Sequence, residues 1–377
     1  MMTFRPVTGT ITVPTNYTWT ITPKPLAWPT EAKGVATIRT LMKFWALSAF
    51  ALYGWVRLKL NRSPTLVILT YHRVLPEGSP ERELEQPGMI VSPENLQRHI
   101  NLMRSLGATP VHLEEWLHKR RIGESLPTLA VAFSFDDGWR DNYVHGYPLL
   151  SQEKVPATIF LVTQMIDTDK TFWPEQVLKL VISTRIALDD ESFEWLHPHL
   201  PASITGGERR PLSLVEGDEV ISRLKSMDDV TILRNLEKVY QAHPDLAPTD
   251  TSRAILNTPE LEAMACDGLM KYGAHTRHHY RLNRLNDEHT LEEEIAGCRE
   301  DMKALGKAAS PIFCYPNGDI TGDGEALVTD HYEAACTTKT GWNRDECDPY
   351  DLRRFNLHDG NSYNNRTLLA TIGRGLL

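Results

Sequence analysis

The sequence predicts an α/β fold, a distorted or incomplete (β/α) barrel with a helical insertion. Three observations carry that reading. From residue 64 onward, runs with the pattern of buried strands alternate with amphipathic helices, a rhythm that implies parallel strands with helices outside them. Over roughly 170–256 the rhythm stops, and helical stretches follow one another with no strong strand between. Residues able to do chemistry stand directly after the strands, where the sites of parallel barrels gather.

The elements follow in order. Thr65–Tyr71 (TLVILTY) is a continuous apolar run, as a strand buried on both faces should be. Ser92-Pro93 opens a helix, with Ser as N-cap and Pro at the first helical position. Its apolar residues Leu96, Ile100, Met103 and Leu106 recur at helical spacing, and Gly107 closes it. Thr128–Phe135 is the next strand, a helix near Asp141–Gln152 follows, and then the strand Ala157–Val162. Residues 174–187 and 218–242 read as the helices of the insertion. A helix starts at Thr258-Pro259 and ends near Gly268, followed by the strand Met270–Ala274 and a helix over 287–305. Pro311–Tyr315 and Glu333–Thr337 complete the strands.

A chain of 377 residues allows two or three domains, or one large barrel. With 41% apolar and 24% charged residues it can bury a sizeable core, which excludes disorder over most of its length. Lys and Arg number 40 against 49 Asp and Glu, a net charge of -9 with no basic stripe, so a nucleic-acid partner is excluded. The five cysteines (Cys266, Cys298, Cys314, Cys336, Cys347) are odd in number and include no C-x-x-C pair. They read as scattered free thiols in a reducing compartment.

The N-terminal part differs from the rest. Residues 1–33 are rich in Thr and Pro and carry no apolar segment after a basic start, so a standard secretory signal is absent. They read as a disordered leader or an over-extended start. Residues 34–62 read as a helix. Within it Phe44–Val56 is uncharged over thirteen residues, with Lys43 before it and Arg57, Lys59 and Arg62 after. A membrane span needs about 20 apolar residues, so two readings stand: a helix lying at a bilayer surface through 43–62, or a helix packed on the main domain. The expected location is cytoplasmic or peripheral at the inner membrane face. The main domain runs over 63–377.

The strongest chemical signal is Ser134-Phe135-Asp136-Asp137-Gly138, immediately after a buried strand. Two adjacent carboxylates at a strand end are costly unless something uses their charge. A cation would hold one, and the other could accept a proton from water. A solvated turn is the plain reading of Asp-Asp-Gly. The second signal is His275-Thr276-Arg277-His278-His279, also after a strand. In a helical turn His275 and His279 share a face and can grip one metal, with His278 the competitor. Together the two signals offer three protein ligands and open positions for water and substrate. Two further strand ends carry candidates: His72 in Thr70–Val74, able to protonate a leaving group, and the tight turn in Phe313–Gly318, whose N–H groups could stabilise an oxyanion.

SFDDG, HTRHH, FCYPNG and the leading YHRV resemble the motif set of polysaccharide deacetylases, the NodB-homology or carbohydrate esterase family 4 group. The resemblance covers roughly 64–360, interrupted by the insertion. It implies a distorted (β/α) barrel that binds one divalent metal ion, with zinc expected, and removes acetyl from an N-acetylated glycan or glycoconjugate. Carried over by residue, it implies Asp136 as general base, Asp137, His275 and His279 as metal ligands, and the turn Tyr315-Pro316-Asn317 as the oxyanion-holding wall. Asn317 stands where many members carry an aromatic residue, and the Arg that opens their motif is missing. The acid is His72 by the early Tyr-His motif, with His358 the rival, and Arg354 is a candidate to orient the base. Trp173 and Trp342 receive no role. Other readings of the same residues are O-deacetylation or hydrolysis of another amide, an Fe(II) oxygenase, and a non-catalytic glycan binder. The glycan and the oligomeric state stay open.

Overall fold

A computed structural model describes residues 36–375, apart from 185, 187–188, 207–209, 248–252 and 286. The leader expected over 1–33 lies outside the described residues. The chain divides after Lys43, and Phe44–Leu377 form one unit.

Six parallel strands, β1 (Thr65–Tyr71), β2 (Leu129–Phe135), β3 (Ala157–Leu161), β4 (Met270–Ala274), β5 (Ala309–Cys314) and β6 (Ala334–Cys336), lie side by side in chain order. Every residue of β1, β2 and β3 is buried, as the continuous apolar runs require. The last gap closes irregularly. The end of β1 pairs in parallel with β7 (Phe355–Asn356), Leu69 opposite Phe355 and Thr70 opposite Asn356, while its start pairs antiparallel with Asn343–Arg344. Just before β7, Leu352 bridges back to Cys336. The result is the distorted barrel that the strand rhythm predicts.

The predicted helix at Ser92-Pro93 is α2 (Pro93–Ser105), with the Ser92 hydroxyl accepting from the Asn95 N–H at 3.2 Å. The insertion contains α3 (Trp173–Ser183), α4 (Leu214–Leu224) and α5 (Asp229–Ala242). The stretch expected as one helix over 218–242 is thus two, broken at Lys225–Asp228, because Asp228 caps a new helix by accepting from the Thr231 N–H at 2.8 Å. These helices bury their own core, including Val177, Val181, Val220, Ile221 and Leu236, apart from the barrel's.

α1 (Ala36–Lys59) contains the uncharged run expected near Phe44–Val56. From Phe44 on, it has two faces. Leu47, Phe50, Ala51 and Leu58 pack into the barrel core. Gly54 crosses Gly373 of α6 (Asn365–Arg374) so closely that a Cβ on Gly54 would lie 2.5 Å from the Leu369 carbonyl oxygen. The other face leaves Trp45, Leu52 and Trp55 exposed, Trp45 by 68%. Among the described residues, no helix is long and apolar enough to cross a membrane.

Candidate metal centre

Asp136 and Asp137 leave β2 at its C-terminal end, and both are buried. Asp137 and Gly138 take positive φ, 76° and 77°. That conformation is uncommon for a residue with a Cβ and marks functional turns. The turn is held by the Asp136 N–H, which donates to the Tyr71 carbonyl at 2.9 Å, and by the Trp139 indole N–H, which donates to Asp137 Oδ2 at 2.9 Å. The second bond leaves Asp137 Oδ1 to face two imidazoles, His275 Nε2 at 3.5 Å and His279 Nε2 at 3.4 Å.

The two histidines meet for a reason other than the one expected. The segment after β4 is a loop, not a helical turn: Thr276 and His279 both sit near φ 63°. Two bonds tie it to the end of β3, from Thr163 N–H to the Thr276 carbonyl (3.2 Å) and from Gln164 N–H to the Arg277 carbonyl (2.9 Å). His279 N–H donates to Thr276 Oγ1 at 3.0 Å, which folds the loop back on itself. His278 turns away and bonds Glu294 through both its backbone N–H (2.9 Å) and its ring.

Asp137, His275 and His279 therefore offer three donor atoms within 4.8 Å of one another. Tetrahedral bonds of about 2.0–2.1 Å to a shared ion put donors about 3.4 Å apart, which matches the Asp137 spacings. His275 Nδ1 lies 2.7 Å from the Cys314 carbonyl oxygen and donates to it, which leaves Nε2 as the free donor atom. Burial drives the His279 imidazole down to about 4, with Asp137 only partly opposing, so the ring is neutral as a metal ligand must be. Burial pushes the Asp137 carboxyl up, but His275, His279 and His72 outweigh it and hold it well below the usual range. The residues present fit a single divalent ion.

Asp136 stands beside this cluster. Arg354, itself buried, donates from one guanidinium N–H to Asp136 Oδ1 at 2.7 Å and from Nε to the Thr337 carbonyl at 3.0 Å. His72 Nε2 lies 3.9 Å from Asp136 Oδ2. Burial raises the Asp136 carboxyl, yet the charges of Arg354, His275 and His72 together bring it below its ordinary value. His358, the rival of His72, also lines the cavity, but it caps a short helix and its Nδ1 accepts from the Gly360 N–H at 3.2 Å. In the Tyr315–Asn317 turn, the Tyr315 N–H is already taken by the Cys336 carbonyl at 3.1 Å, and Pro316 has none. The backbone donor left to the turn is Asn317, which sits at φ 53°. His72, Asp136, Asp137, His275, His279, Tyr315, Asn317, Arg354 and His358 thus line one cavity of about 540 Å³, whereas Pro316 is buried in the turn and does not. Trp173 is buried, donates to Asp229 Oδ1 at 2.6 Å, and belongs to the insertion core.

Several residues that build the site escaped the sequence. Trp139, just after SFDDG, and Cys314, within FCYPNG, act on Asp137 and His275 through an indole N–H and a backbone carbonyl, which no pattern of residue types announces. Glu175, Asp218, Ser222 and Lys225 come from the insertion. Only the tertiary fold brings them over the strand ends.

A carboxylate and two imidazoles at metal spacing, set on strand ends of a (β/α) barrel with a second carboxylate alongside, define a metal-binding barrel of the hydrolase type. Residues 124–203 and 239–331 match the family model described as polysaccharide deacetylase. Over 102 residues it is 29% identical to the poly-beta-1,6-N-acetyl-D-glucosamine N-deacetylase of Escherichia coli K12, a stretch covering 27% of this chain and 14% of that protein. The Streptococcus pyogenes deacetylase PplD, solved in complex with acetate, shares the fold with a TM-score of 0.53 at 16% identity, over 82% of this chain and 99% of that one.

Proposed function

We propose that the protein is a metal-dependent hydrolase that removes N-acetyl groups from an N-acetylated glycan, releasing acetate and leaving a free amine. One observation carries this reading: Asp137, His275 and His279 stand at metal spacing while a separate carboxylate, Asp136, is held ionised beside them by Arg354. The ion, for which two imidazoles and one carboxylate favour zinc, supplies Lewis-acid charge and an acidified water when bound. Asp136 Oδ1 is taken by Arg354, so Oδ2 is the oxygen that accepts the proton of the attacking water. The oxygen of that water ends in acetate, and the amide C–N bond breaks. The Asn317 N–H holds the oxyanion that precedes cleavage. His72, on the other side of Asp136 Oδ2, gives the departing nitrogen its proton. The Escherichia coli relative is named for N-deacetylating a poly-N-acetylglucosamine, which makes N-acetylglucosamine glycans the first substrates to try.

The exposed face of α1, with Trp45, Leu52 and Trp55 beside Arg57, suits peripheral contact with an anionic membrane surface at the cytoplasmic side. Acetate release from a panel of N-acetylated glycans, with and without chelator, tests the main proposal. Release that needs a divalent ion is expected. Release that survives complete chelation would remove the metal from the mechanism.

A further inference from the structure

The YHRV motif holds a second residue of interest besides His72. Arg73 stands just past the end of β1, and its side chain is largely buried. It does not line the metal cavity but a neighbouring one of about 600 Å³. Three groups meet it there. Its Nε donates to Asp141 Oδ2 at 2.8 Å, and a terminal N–H donates to Glu85 Oε2 at 2.7 Å. Its guanidinium carbon lies over the Trp139 ring, 4.4 Å from the centroid.

Both carboxylates are buried and are themselves fixed by the backbone. Asp141 Oδ1 accepts from the Val74 N–H at 2.7 Å, and Glu85 Oε1 accepts from the Gln86 N–H at 2.9 Å. A planar guanidinium gripped at two of its N–H groups has its plane set. Asn142 adds a further tie, donating from its side chain to the His72 carbonyl at 2.8 Å. The turn after β2 and the segment after β1 are therefore laced together on both sides of Arg73. Trp139 carries this to the metal centre. Its ring is buried, with Phe172 at 5.3 Å and an interplanar angle of 69°. Its N–H holds Asp137 Oδ2 at 2.9 Å, which decides that Oδ1 is the oxygen facing His275 and His279. A buried ion triad is by itself weak evidence of stability, since apolar groups of similar volume often serve as well. What this triad does hold is the ring that aims a ligand.

We infer that Arg73 is a positioning residue for the metal. Locked by Asp141 and Glu85, it keeps the Trp139 indole at the angle that directs Asp137 Oδ1 toward His275 and His279. The inference rests on the reading of Asp137 as a metal ligand, though not on the reaction that the metal serves.

The test measures, on the full chain, zinc affinity by competition with a chelator, the visible spectrum of the cobalt-loaded protein, and Tm. Trp139→Phe removes the N–H and keeps a ring. Its zinc affinity should fall by about 10–100-fold, the usual range when a ligand loses its outer partner. The triple variant Arg73→Met/Glu85→Gln/Asp141→Asn leaves no buried charge unpaired, so its Tm should stay near wild type. It should still bind zinc about ten-fold more weakly and show altered cobalt bands. Arg73→Lys keeps the charge and loses the fork, and should change affinity and spectrum in the same direction if the triple variant fails to fold. A triad that only stabilises the fold predicts wild-type zinc affinity and cobalt bands in every folded Arg73 variant, and that result overturns the inference. Adding Trp139→Phe to the triple variant should cost no further affinity, because Arg73 acts through the indole. Full additivity would overturn it as well. Acetate release from an N-acetylglucosamine pentasaccharide is scored separately. Weakened zinc in the variants with no acetate from wild type would leave Arg73 its role and sink the deacetylase reading. Acetate from wild type with equal zinc affinities throughout would do the opposite.

Discussion

Asp136 and Asp137 are neighbours in the chain with opposite surroundings, and that difference is what assigns them separate tasks. Along a regular strand they would face opposite sides; the positive φ of Asp137 breaks the alternation and lets both line the cavity. Asp137 meets two imidazoles, whereas Asp136 meets a guanidinium. Asp136→Asn should therefore keep metal at wild-type stoichiometry, measured by elemental analysis, while turnover is lost, since only proton acceptance is removed. Normal turnover in that variant would rule out Asp136 as the base. Arg354 lowers the Asp136 carboxyl, so removing it must raise that value. In a profile of kcat/KM against pH, Arg354→Ala should move the acidic limb upward by about 1–3 units, the range for an Asp losing an adjacent Arg. An unmoved limb would mean that another group sets it. The histidine loop makes an equally sharp contrast. His279→Ala should lose the ion and His278→Ala should retain it, because the His278 ring is committed to Glu294.

At the scale of elements, the motifs were legible and the conformation that joins them was not. The spacing in HTRHH picks out the two histidines that face Asp137, yet a helical turn is the wrong geometry for them. The loop depends on left-handed Thr276 and His279, and on bonds to the end of β3 that a local pattern does not contain. The break at Lys225–Asp228 was hidden for a similar reason: apolar residues keep helical spacing on both sides of it, and only the cap at Asp228 marks the new start. For α1, the sequence left surface helix and packed helix as alternatives, and the structure packs one face on the barrel and leaves the other exposed. Leu47, Ala51, Gly54 and Leu58 form a helical stripe against the barrel and α6, so removing the whole segment would uncover the core. The exposed face can be tested alone. Replacing Trp45, Leu52 and Trp55 with Ser should weaken sedimentation with anionic liposomes while leaving Tm within a degree or two, since surface changes usually stay within about 0.5 kcal/mol. Undiminished liposome binding would exclude this face as the contact. In contrast, Gly54→Ala forces backbone against backbone and should cost about 1–3 kcal/mol, the usual range for overpacking, read as a lowered Tm.

Which histidine is placed to supply the acid is a question for the whole molecule, because the two candidates come from opposite ends of the chain. The run of strands from β1 to β6 was legible, most plainly in β1 to β3, where continuous apolar runs mark strands buried on both faces. The closure was not legible, since it relies on the short strand β7 and the single bridge at Leu352. That closure sets Thr70 of β1 opposite Asn356 of β7, and two residues beyond each lie His72 and His358. Positions far apart in sequence thus reach the same cavity, which is why spacing alone leaves both as candidates. Their surroundings differ. His72 Nε2 is 3.9 Å from Asp136 Oδ2, close enough for both to serve one scissile bond. His358 has its Nδ1 bound to the Gly360 N–H as a helix cap, and burial, only partly opposed by Asp359, disfavours its protonated form. An acid must carry the proton before it can give it, so the geometry favours His72. His72→Ala should lower kcat by about 10²–10⁴, the usual range for one proton-transfer group. The loss should shrink on a substrate whose amine leaves easily, because such a leaving group needs less protonation. The basic limb of the pH profile should disappear in the same variant while the acidic limb set by Asp136 remains. His358→Ala should instead lower Tm through the lost cap, by about 1 kcal/mol of stability, and keep both limbs. If His358→Ala shows the rate loss and its recovery while His72→Ala shows neither, the proton comes from the β7 side of the closure.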